Sequence, residues 1–90
     1  MRKVIITVVG KDSVGIIAKV CTYLAEAGVN ILDISQTIVQ GYFNMMMVVD
    51  TAACTCDFET LSDELDKIGD DMGCVIRAQR EEIFNKMHRI

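Results

Sequence analysis

Val4-Ile5-Ile6-Thr7-Val8-Val9-Gly10-Lys11-Asp12-Ser13-Val14-Gly15-Ile16-Ile17 is the stretch on which the fold turns. Val4 to Val9 are all β-branched, which restricts their χ1 freedom and favours extended backbone, so the run reads as a strand buried on both faces or nearly so. Gly10 ends it. Asp12 or Ser13 can then cap a helix from about Val14 to Ala27, with Ile16 or Ile17, Val20, Cys21 and Leu24 on one stripe. Gly28 stands where a left-handed terminating residue belongs.

The rest of the chain continues the alternation of strand and helix. Val29 to Val39 is rich in branched residues, and Tyr42 to Asp50 places Phe43, Met45, Met47 and Val49 on one face. The Gln40-Gly41 pair between them predicts a hairpin turn. Asp57 can cap a helix on which Phe58, Leu61, Leu65, Ile68 and Met72 recur at helical spacing, opposite Glu59, Asp63, Glu64, Asp66 and Lys67. Gly73 ends that helix. Cys74 to Ala78 then reads as a fourth strand, and Glu81 to Met87 as a short terminal helix.

The resulting order, βαββαβ, is the α+β ferredoxin-like arrangement: a four-stranded antiparallel sheet with two helices on one face. The other face is left open. Ile5, Val9 and Val48 offer apolar side chains there, so a second copy of the chain is expected to cover it. A core this small also favours association, since 90 residues make one modest domain, read here as residues 1–90 with a helical tail from about 81 to 90.

Composition excludes several classes of function. The chain is 51% hydrophobic and 24% charged, with no Pro or Trp, and carries a formal net charge of -4 from nine basic and thirteen acidic residues. That is a globular composition and lacks the basic stripe of a nucleic-acid binder. No apolar run reaches the roughly 18 residues of a membrane span, and the N-terminal run is too short for a signal peptide. Cys21, Cys54, Cys56 and Cys74 are not framed as a disulfide scaffold, so a reducing cytoplasm is the expected compartment.

Gly10-Lys11-Asp12-Ser13-Val14-Gly15-Ile16-Ile17 is also where chemistry is expected. A strand-to-helix loop with a glycine at each end lets backbone come close to a ligand, and a helix start offers N–H groups to a carboxylate or phosphate. A tight turn with a helix cap and nothing bound fits the same residues. A nucleotide phosphate loop is excluded, because Ile16-Ile17 stands where its lysine and hydroxyl residue belong.

This loop, the later Ala27-Gly28-Val29-Asn30-Ile31 and the element order together resemble the ACT domain, a small regulatory module that binds amino acids and similar metabolites. The similarity spans essentially the whole chain. The tail Ile83-Phe84-Asn85-Lys86-Met87-His88-Arg89-Ile90 is further similar to the close of a family of short proteins made of one ACT domain, and relatives of the glycine cleavage repressor carry a similar opening loop. The resemblance implies a non-enzymatic homodimer with a ligand at the subunit junction. Gly10, Lys11, Asp12, Ser13, Val14, Gly15 and Ile16 of one chain would surround it, facing Asn30 and Ile31 of the other. N–H groups near Gly15 would hold a carboxylate, and the Asn30 amide can both donate and accept. Many ACT loops have proline where Val14 stands, so this loop is less stiff. Asn30 equally suits the turn after Gly28 as a purely structural residue.

Other motifs carry less. Cys54-Thr55-Cys56 lacks a third ligand nearby, so no metal site is expected, and no cofactor either. Met45-Met46-Met47 cannot converge on one ion because strand residues alternate in direction. Cys21 and Cys74 read as small hydrophobes, Asp33, Ser35 and Gln36 as a solvated strand face, and His88, the lone histidine, as a surface or subunit-packing group. An RNA-binding sheet would need aromatic residues on its central strands, and only Tyr42 and Phe43 qualify. An acyl-phosphate hydrolase of similar fold would need an arginine in the first loop. The expected function is regulatory, through an unidentified protein partner and without nucleic acid or membrane. Its alternative is an assembly or interaction module with no ligand.

Overall fold

The computed structural model describes residues 3–11 and 13–81. Its elements are β1 (Lys3–Gly10), α1 (Ser13–Glu26), β2 (Asn30–Val39), β3 (Tyr42–Asp50), α2 (Phe58–Met72) and β4 (Val75–Arg80). This is the expected βαββαβ order, and the strands form one antiparallel-paired sheet in the order β2-β3-β1-β4. α1 starts at Ser13, so Ser13 lies inside the helix rather than capping it, and Asp12 falls outside the described residues. The expected terminal helix lies outside them too, apart from Glu81, as does His88.

Local rules explain the element ends. Asp57 caps α2 by accepting a hydrogen bond from Thr60 N at 2.8 Å, and Gly73 ends the helix at φ 70°. Gln40 and Gly41 take φ 55° and 81°, the paired left-handed values of a tight hairpin turn.

The core lies between the sheet and the helix layer. Val4, Ile6 and Val8 of β1 and Phe43, Met45, Met47 and Val49 of β3 meet Ile16, Val20 and Leu24 of α1 and Leu61, Leu65 and Ile68 of α2. Met46 points the other way and is exposed, as strand alternation requires. Of the apolar residues expected on the open face, Val9 is exposed and Val48 half-buried. Ile5 is only 5% exposed, enclosed by neighbours that include Val48 and Gln79 in the ladder.

β2 is the exception to burial. It forms one edge of the sheet, and only Ile31 among its residues is even half-buried. The register slips between Ile31 and Asp33, so Leu32 is a bulge that swaps the facing of everything after it. Ile34 and Ile38, paired with Met47 and Phe43, therefore lie on the helix side yet stay exposed, Ile38 at 74%. Among the described residues, no helix is long and apolar enough to cross a membrane.

Candidate functional site

The residues expected to hold a ligand fall at opposite ends of the sheet. β1 finishes at Gly10, paired with Phe43 at the start of β3, while Asn30 pairs with Asp50 at the end of β3. Seven residue steps along β3 separate the two positions, about 23 Å at strand rise. One chain therefore does not bring the opening loop and Asn30 together.

At the Gly10 end, each residue has a distinct setting. Gly10 is buried, and a Cβ on it would stand 2.7 Å from both Cys74 Cβ and Ile16 Cδ1. Packing alone thus requires glycine there, whatever else the loop does. Ile16 is 1% exposed and turns its side chain into the core, so only its backbone belongs to the loop surface. Val14 is exposed and Gly15 half-buried in the first turn of α1. Lys11 is exposed and places its ammonium over the Tyr42 ring, 5.7 Å from the centroid. That cation–π contact holds Lys11 beside the hairpin, where Tyr42 pairs with Val39. The positive end of the α1 dipole and the Lys11 charge thus share one corner of the molecule.

At the other end, Asn30 is exposed on the first residue of β2, in a row with Asp50 and Lys3 across the sheet. Ile31 packs against the core. The turn before them is braced by the β3–α2 loop, where Thr55 N donates to the Ala27 carbonyl at 2.9 Å.

The same end holds a cavity of about 490 Å³ that sequence reasoning missed. Its wall includes Lys3, Cys54, Cys56, Asp57, Arg80 and Glu81. Cys54 and Cys56 bring their sulfurs to 3.5 Å, and Arg80 stacks on Phe58 at 4.9 Å. The paired cysteines were the one signal of it in the sequence. Among the described residues, no group of three or more His, Cys, Asp and Glu side chains is placed to hold a metal ion.

The model of the ACT domain family matches residues 2–79. A UPF0237 protein of Bifidobacterium longum is 64% identical over 90 residues, covering all of both chains. The solved structure of an ACT domain protein from Streptococcus pneumoniae superposes with a TM-score of 0.81 at 46% identity, covering 92% of this chain and 93% of that one. A formyltetrahydrofolate deformylase from Pseudomonas syringae pv. tomato shares the fold over 89% of this chain and 28% of its own, with a TM-score of 0.80 at 23% identity. With a family match over most of its length and a close full-length relative, the chain belongs to the ACT domain family.

Proposed function

We propose that this protein is a non-enzymatic cytoplasmic regulatory module: a homodimer that binds an amino acid or related small metabolite between its subunits and so modulates a separate protein partner. The observation that carries this reading is the division of the expected site between the two ends of one chain, together with an exposed edge strand able to reunite them.

Antiparallel pairing of β2 with the same strand of a second copy, centred between Ile34 and Ser35, sets Asn30 of the partner subunit beside Val39. Val39 pairs with Tyr42, and Lys11 lies over the Tyr42 ring. The pairing thus carries the second half of the site to the first. The outer edge of β2, unpaired among the described residues, and the exposed Leu32, Ile34, Ile38 and Val39 favour such an addition. In the assembled site, Lys11 and the first turn of α1 attract a carboxylate, while the Asn30 amide serves either end of a zwitterion. A ligand held by both subunits favours the assembled over the separated state, which is the linkage a regulator needs.

The test is a thermal-shift screen of the full chain against amino acids and common metabolites, with Asn30→Ala in parallel. One compound at 100 times its Kd is expected to stabilise the protein by about 2.7 kcal/mol, and the variant to lose the effect. Absence of any shift at millimolar concentration overturns the ligand reading and leaves the assembly module in its place.

A further inference from the structure

The β3–α2 loop, residues 51–57, folds back onto the turn after α1. Thr55 N and Oγ1 both reach the Ala27 carbonyl, at 2.9 and 3.4 Å. This docking fixes Cys54 and Cys56, both half-buried free thiols, with their sulfurs 3.5 Å apart on the wall of the cavity. A disulfide bond is about 2.05 Å long, so the sulfurs need close by only about 1.5 Å.

The two thiols stand in different surroundings. Burial pushes the Cys56 thiol up, and its hydrogen bond with Cys54, in which either sulfur can donate, acts in the same direction, so Cys56 favours its protonated form. Tyr23 of α1 stands behind Cys56. Burial, and then the charge and hydrogen bond of Cys56, push its phenol up to about 12, so it remains a donor to Cys56. Tyr23, Cys56 and Cys54 thus form one line of hydrogen-bonding groups with Cys56 in the middle.

The lining of the cavity is dipolar. Lys3 and Arg80 supply cations, and Asp57 and Glu81 supply carboxylates, with Lys3 Nζ 4.0 Å from Glu81 Oε2. We propose that Cys54 and Cys56 form a reactive dithiol that reduces a small zwitterionic disulfide seated in this cavity and closes to an intramolecular disulfide. The Cys54 thiolate attacks one sulfur of the small disulfide, whose S–S bond breaks and releases one thiol. Cys56 then gives its proton to solvent and attacks Cys54 Sγ, forming the Cys54–Cys56 bond and releasing the second thiol. Two protein thiols are oxidised by two electrons, and one disulfide is reduced to two thiols.

The test uses the reduced full chain and oxidised glutathione, followed by alkylation, cleavage after glutamate and mass spectrometry. Cleavage after Glu26 and Glu59 isolates Cys54 and Cys56 from Cys21 and Cys74. Wild type is expected to lose two hydrogens within that fragment. Cys56→Ser is expected to stop at a glutathione adduct on Cys54, and Cys54→Ala to react about tenfold more slowly, with circular dichroism confirming that both variants fold. Equal reaction at Cys21 or Cys74, or a persistent Cys54 adduct in wild type, overturns the dithiol. Arg80→Ala is expected to slow reaction with oxidised glutathione but not with the uncharged bis(2-hydroxyethyl) disulfide, and equal slowing overturns the seating. No amino acid enters this readout, so its outcome is independent of the ligand proposal.

Discussion

Gly28 runs against Ala53 so closely that a Cβ on Gly28 would stand 2.7 Å from the Ala53 carbonyl oxygen. The contact joins the turn after α1 to the β3–α2 loop, and Gly28 meets it at φ +78°, a left-handed conformation. Gly28→Ala therefore incurs both a backbone and a steric cost, together about 2–5 kcal/mol. Gly41→Ala is the control: φ is +81°, but nothing lies within 4 Å, so about 1–2 kcal/mol is expected. Urea unfolding of both variants measures the difference, and equal losses would show that the Ala53 contact is soft.

The cap of α2 sets a pH dependence. Hydrogen bonds from the Thr60 side chain and then its backbone hold the Asp57 carboxyl below its ordinary value of 3.8. A depressed folded-state value favours the native state fully above the unfolded value and loses that contribution as pH falls through the lower folded one. Asp57→Asn keeps an acceptor but removes the titration. Its Tm is expected to approach that of wild type as pH falls from 5 to about 2.5, and a constant gap across that range would refute the assignment.

Leu65 is wholly buried on α2, within the single core between helices and sheet. Truncation leaves a cavity that close packing cannot fill, so Leu65→Ala is expected to cost about 2–5 kcal/mol. Denaturant titration at neutral pH checks it. An m-value unchanged from wild type would place the loss in the native core rather than in the denatured ensemble.

The elements that were legible in the sequence are those where one local rule acts alone. The Gln40-Gly41 turn and the Asp57 and Gly73 ends of α2 appear as expected because turn and cap chemistry depend on a few adjacent residues. The face of β2 was not legible, because the bulge at Leu32 breaks the alternation and only pairing with β3 reveals it. At the site, the opening loop and Asn30 could be named but not placed, since their separation follows from strand direction. Cys54 and Cys56 stood out, yet Tyr23 lies 33 residues earlier and reaches Cys56 only through the packing of α1. Gly10 was read for ligand approach, whereas contact with Cys74, across the whole sheet in sequence, already demands it.

Edge exposure of β2 gives the last expectation. Ile38 is 74% exposed and lies on an unpaired edge, so a lysine there meets solvent in the monomer and changes its stability by less than about 0.5 kcal/mol. In a dimer joined along β2 the same lysine would be drawn into an apolar seam, where desolvation of its charge opposes association. Ile38→Lys is thus expected to sediment as a folded monomer at concentrations where wild type sediments as a dimer. Val75→Lys, on the opposite edge strand β4 and also exposed, is expected to leave the dimer intact. If Val75→Lys dissociates the dimer and Ile38→Lys does not, the subunits pair through β4 or the open face of the sheet, and Asn30 no longer meets the opening loop.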